Sequence, residues 1–126
     1  MTKILYQQES YQIIGILFDV HRNLGGGFSE IVYKDALEYE FKKANIPFER
    51  EKEYLVNYKD IILDHRFYAD FVLFDKIILE IKSSDFLHPK YISQCINYLK
   101  VSKNNLAILA TSILPHLNTN VLFYKN

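Results

Sequence analysis

Residues Arg66 to Asp85 read RFYADFVLFDKIILEIKSSD, two apolar runs rich in Phe, Val, Ile and Leu on either side of Asp75 and Lys76. The pattern predicts a β-hairpin, because β-branched and aromatic residues suit a pleated surface and the charged pair suits a turn. Three charged residues interrupt the runs, Asp70 in the first and Glu80 and Lys82 in the second. Side chains alternate with a period of two, so Glu80 and Lys82 share a face. A loop of three residues, Phe74 to Lys76, sets Asp70 directly opposite Glu80, with Cβ atoms roughly 5 Å apart. One face then carries Asp70, Val72, Ile78, Glu80 and Lys82, and the other only Phe71, Leu73, Ile77, Leu79 and Ile81. A slip of one residue would mix charge into both faces, so the hydrophobic pattern selects this register. Two carboxylates and an ammonium are expected to converge.

The chain around this hairpin is 126 residues long, 49% hydrophobic and 24% charged, which predicts one globular domain over residues 1–126. Formal net charge is zero, which argues against a generic basic nucleic-acid binder. The distribution is uneven: no Asp or Glu follows Asp85, whereas Lys90, Lys100, Lys103 and Lys125 do, so the carboxyl-terminal third is positive. The opening MTKILYQQES lacks the apolar run of a signal peptide, and no segment approaches the roughly 18 apolar residues of a membrane span. With a single cysteine, Cys95, and hence no disulfide within the chain, the expectation is a cytoplasmic protein without a membrane segment.

Ser10 to Leu24 has the spacing of an amphipathic helix, with Ile13, Leu17, Val20 and Leu24 on one stripe. Gly25, Gly26 and Gly27 end it and read as a turn between helices, since neither a preceding strand nor a following Lys-Ser or Lys-Thr supports a phosphate-binding loop. A second helix is expected from an N-cap at Ser29 to about Asn45, with Glu30, Tyr33, Leu37, Phe41 and Ala44 inward. Glu30 heads an otherwise apolar stripe; it is either a glutamate favoured by the helix dipole at an amino terminus, needing no function, or one that must be satisfied by partners that include a metal or the hairpin lysine. Phe48 to Glu53 alternates charge and reads as a solvated approach to a strand at Tyr54 to Tyr58, with a turn at Lys59 and Asp60. Ile61 to His65 either extends that hairpin or bridges to the central one. After a loop from Ser83 to His88, Pro89 suits the first position of a helix reaching about Val101, with Tyr91, Cys95, Tyr98 and Leu99 buried. Leu106 to Ala110 is a short buried strand, Pro115 interrupts the chain, and Val121 to Tyr124 is a candidate last strand. The order α-α-β-β-β-α-β, with that last strand optional, predicts an α/β fold in which helices flank a mixed sheet.

An Asp and a Glu on adjacent strands, with Lys two residues after the Glu, suit Mg²⁺-assisted phosphodiester hydrolysis. Mg²⁺ takes hard oxygen ligands, usually one or two carboxylates, and keeps waters. Asp70 and Glu80 are the expected ligands, the backbone carbonyl of Ile81 a third, and Glu30 a further ligand directly or through water. Lys82 is placed to position the attacking water or offset charge on the phosphorane. Gln94 lies one turn before Tyr98, so the pair can orient substrate. The plainer alternative is a surface salt bridge between Lys82 and one carboxylate. Cys95 has no recognisable His partner for nucleophilic work, and His21, His65, His88 and His116 lack zinc-ligand spacing.

At these residues the sequence resembles the small bacterial and archaeal proteins named for the motif GxxExxY, a branch of the PD-(D/E)xK nuclease superfamily. The motif is Gly27, Glu30 and Tyr33 within GGGFSEIVYKDAL; the acidic and basic signature is Asp70 followed by Glu80-Ile81-Lys82. Gln94 and Tyr98 in QCINYLK match the Gln-x-x-x-Tyr element of RecB-like nucleases. The resemblance runs from about Val20 to Leu109. Ala69 stands where the superfamily has its proline, and ILATSILP lacks an Asn-Phe-Gly-like ending. The resemblance implies a restriction-endonuclease-like core, a divalent metal site, and cleavage of DNA or RNA. The expected cofactor is Mg²⁺ or Mn²⁺, DNA is expected ahead of RNA, and a homodimer or a partner protein is a further expectation. The same fold without catalysis, binding nucleic acid or a protein, is the alternative.

Overall fold

The computed structural model describes residues 6–84, 86–113 and 116–126. Its elements follow the predicted order, last strand included: α1 (Gln7–Leu24), α2 (Glu30–Lys43), β1 (Phe48–Tyr58), β2 (Ile61–Leu73), β3 (Ile77–Ser83), α3 (Pro89–Ser102), β4 (Leu106–Ile113) and β5 (His116–Phe123). The strands form one five-stranded sheet in the order β1-β2-β3-β4-β5. Every neighbouring pair is antiparallel except β3 and β4, which run parallel because α3 carries the chain back across the sheet. No helix among the described residues is long and apolar enough to cross a membrane.

Two apolar layers sandwich the sheet. On one side Ile13, Leu17 and Val20 of α1 and Tyr33, Leu37 and Phe41 of α2 pack on Phe71, Leu73, Ile77, Leu79 and Ile81. On the other side Cys95, Tyr98 and Leu99 of α3 cover Val72, Ile78, Ala107 and Leu109. Helices on both faces leave β3 and β4 no wet side, which is why they are near-continuous apolar runs. Pairing of Phe71 with Leu79, Val72 with Ile78 and Leu73 with Ile77 gives the predicted three-residue loop and register. The face expected to be wholly apolar packs under α1 and α2.

Several boundaries move. β1 absorbs Phe48 to Glu53, whose alternating charge is a strand period rather than a solvated approach: Glu49, Glu51 and Glu53 are exposed while Phe48, Arg50 and Lys52 are half-buried. Arg50 lays its guanidinium 5.9 Å from the centre of the Phe71 ring, so its stem continues the core. β2 starts at Ile61, so Ile61 to His65 extends the β1 hairpin rather than bridging to the next. Helix α2 ends at Lys43 and leaves Ala44 exposed, off the expected stripe. Ser29 holds the N-cap position with an extended backbone, but its side chain makes no capping bond. Pro89 occupies the start of α3 as predicted. Pro115 lies outside the described residues.

Candidate active site

Between Asp70 and Glu80 the regular ladder of the central hairpin gives way to side chains. The Asp70 amide donates to Glu80 Oε2 at 2.6 Å, and the Ile81 amide donates to Asp70 Oδ2 at 2.8 Å. Each carboxylate therefore takes a main-chain donor of the opposite strand, an arrangement that depends on the register putting the two residues face to face. Alternation also slips here. Ala69 and Val72 pack into the same cluster although three residues apart, whereas a regular strand would send them to opposite faces. Across on β1 the register pairs Arg50 with Phe71 and Lys52 with Ala69 but skips Glu51 and Asp70, and Glu51 has a left-handed φ of 54°.

Both carboxylates are nearly dry: Glu80 is 1% exposed and Asp70 9%. Burial first, and the neighbouring Asp70 charge second, raise the Glu80 pKa from 4.5 to about 8. The Asp70 amide and the charges of Lys82 and Lys34 act in the opposite direction without cancelling the rise. A desolvated acid pair of this kind requires a proton or a cation.

The expected ammonium is not the one in contact. Lys82 makes no ion pair among the described residues, and its Nζ lies 5.4 Å from the centre of the Tyr91 ring. Lys34 of α2 takes the place instead, 3.0 Å from Asp70 Oδ1 and 2.8 Å from Glu51 Oε1. Asp70 is thus bound from the α2 side, whereas Val72, assigned to its face by simple alternation, packs under α3. Desolvation lowers the Lys34 pKa, but the hydrogen bonds it donates to Glu51 and Asp70, with their charges, outweigh it and the net shift is upward. Neither Lys34 nor Glu51 was a candidate from sequence. The available signal was spacing, since Lys34 lies four residues after Glu30 and so on the same helix face.

Glu30 meets neither the hairpin lysine nor the acid pair. Its Oε2 accepts from the Ser83 amide at 3.2 Å, so the carboxylate extends the end of β3. The rest of the glycine motif is a clamp on the same corner. Gly27 has φ 97°, a conformation glycine adopts freely, and Tyr33 Oη donates to the Gly25 carbonyl at 2.7 Å and accepts from the Phe28 amide at 3.3 Å. Ser83 Oγ reaches the Phe28 carbonyl at 2.9 Å. The Gly-x-x-Glu-x-x-Tyr spacing thereby fastens the α1–α2 turn to the strand that carries Glu80 and Lys82.

From α3, Tyr98 is buried and set edge-on to Phe67 at 5.6 Å, and Gln94 one turn earlier is half-buried. Burial, then the Glu80 and Asp70 charges, raise the Tyr98 pKa, so it stays an O–H donor beside the acids. Burial also pushes the Cys95 thiol up to about 12, which rules it out as a thiolate nucleophile at neutral pH. Among the described residues no group of three or more acidic, His or Cys side chains forms a ready cage. Two carboxylates completed by main-chain oxygen and water nevertheless fit the donor set that Mg²⁺ accepts.

Comparison with known proteins bears on the fold and on the family. The crystal structure of a protein designated SSO0001 superposes with a TM-score of 0.60 at 20% identity, over 75% of this chain and 50% of that one. The likeness is one of fold, a restriction-endonuclease-like α/β core, and the chain spans about half the length of that relative. No curated protein matches the sequence. The sequence profile of the PD-(D/E)XK nuclease superfamily, whose members typically use divalent metals, matches residues 7–113. That span takes in both acids, the lysine after them and the glycine motif, and the chain belongs to the PD-(D/E)XK nuclease superfamily.

Proposed function

We propose that this protein is a divalent-metal-dependent nuclease of the GxxExxY branch, hydrolysing phosphodiester bonds of DNA or RNA in the cytoplasm. The observation that carries the reading is the buried Asp70–Glu80 pair, with Glu80 raised in pKa and Lys82 two residues on. Asp70 and Glu80 would hold Mg²⁺ or Mn²⁺ together with the Ile81 carbonyl, and Glu30 would act through water or on a second ion. When bound, the ion acidifies a water and polarises the scissile phosphate. Lys82 orients that water or offsets the charge that develops on the phosphorane. Tyr98, kept protonated, and Gln94 orient the substrate. DNA ranks ahead of RNA as substrate, and a second copy or a partner protein supplies the contacts that a chain of zero net charge lacks.

The test is cleavage of labelled single-stranded DNA, duplex DNA and RNA with Mg²⁺, Mn²⁺ or EDTA, comparing wild type with Asp70→Ala and Lys82→Ala. Cleavage should need metal and disappear in both variants. A folded protein that neither cleaves nor binds metal would instead be a silent module that uses the same scaffold for binding.

A further inference from the structure

Among the described residues, Lys34 is the side chain in direct ionic contact with Asp70 of the acid pair, and it is held from two sides. Its ammonium bridges Asp70 Oδ1 at 3.0 Å and Glu51 Oε1 at 2.8 Å. The two carboxylates differ: the Asp70 side chain is 12% exposed and that of Glu51 50%. Glu51 reaches this position through the left-handed residue at the break in the β1–β2 ladder, where it and Asp70 drop out of register. The sheet thus provides a second, wetter carboxylate beside the buried one.

Asp70 Oδ2 accepts from the Ile81 amide and Oδ1 from Lys34, so a cation that binds Asp70 through Oδ1 meets the ammonium there. An ammonium and a divalent ion cannot share that oxygen without strong repulsion. We propose that Lys34 is the site's own counter-cation: it neutralises Asp70 in the metal-free protein, yields Oδ1 to the entering metal, and stays anchored on Glu51. The inference rests on the metal-dependent reading above. Lysine suits the task because its three donors sit on a flexible stem and need no fixed fork. Asp70 keeps its orientation through the exchange, since the Ile81 amide does not have to move. The free protein is thereby spared an unpaired buried carboxylate.

The test is calorimetric titration of Mn²⁺ into the full chain, comparing wild type, Lys34→Met, Glu51→Gln and the double variant, with far-UV circular dichroism to confirm folding. Removing the competitor in K34M should tighten Mn²⁺ binding roughly tenfold, the scale of one charge-assisted contact. E51Q removes the resting place, so Lys34 should cling to Asp70 and binding should weaken several-fold; in the K34M background the same change should do little. Equal affinity in wild type and K34M, or weaker binding in K34M, would overturn the proposal and leave the metal site standing. Should K34M fail to fold, E51Q decides: weaker binding supports the exchange and unchanged binding refutes it. Absence of Mn²⁺ binding in every folded variant would refute the metal site itself.

Discussion

The two ends of the β2–β3 hairpin are built from the same two strands and behave differently. At the closed end, Leu73, Val72 and Phe71 pair with Ile77, Ile78 and Leu79, and the chain turns through Phe74 and Asp75 at φ 54° and 60°. Backbone bonds to backbone there, and both faces are apolar and dry. At the open end the amides of Asp70 and Ile81 bond to carboxylates instead. A ladder bond is indifferent to pH and cations, whereas a carboxylate that replaces one is not. The open end therefore couples strand pairing to whatever neutralises the acids, and the fold is complete there only with a proton, a lysine or a metal.

The comparison breaks most visibly at the closed end. Phe71→Ala removes a fully buried ring that packs edge-on against Phe41 at 5.3 Å. The expected loss is about 3–5 kcal/mol of unfolding free energy in urea titrations. At the open end, Mn²⁺ at about 100 times its dissociation constant should stabilise wild type by about 2.7 kcal/mol, read as a rise in melting temperature. Asp70→Asn and Glu80→Gln should show almost none of that rise.

Glu80→Gln sharpens the contrast without metal. Folding raises the Glu80 pKa above its ordinary 4.5, so the fold favours the protonated acid. That contribution is complete below the ordinary value and fades as pH climbs through about 8. The metal-free variant should accordingly be more stable than wild type at pH 8, by about 1–2 kcal/mol, with the difference shrinking toward pH 5. Paired melts at several pH values measure it; a constant difference across pH would show that Glu80 is ionised throughout. The smallest effect is expected from Tyr33→Phe, which deletes the hydroxyl between Gly25 and Phe28. It should cost about 1 kcal/mol and leave metal affinity nearly unchanged, because the clamp holds the corner rather than the ion.

Much of this was legible in the chain. The facing of Asp70 and Glu80 followed from a three-residue loop together with the apolar pattern of the two runs, because one-residue slips bury charge and are selected against. The apolar stripes of α1 and α3 and the N-terminal proline of α3 were equally local. FEREKE misled because alternating charge fits both a solvated segment and an edge strand, and only pairing with β2 distinguishes them. Lys82 was expected on the acids because spacing fixes a strand face, not where a four-carbon stem ends. Its ammonium lies over Tyr91, a residue of the crossover helix.

What the sequence determined by itself was the set of elements, the register of the central hairpin and the acids it brings together, since these depend on periods of two and 3.6 residues and on short turns. What tertiary structure decided was the company those acids keep. Lys34 reaches Asp70 from 36 positions away and Glu30 reaches Ser83 from 53, across the packing of α2 on the sheet. Contacts of that range are set by how layers dock, which no local period encodes.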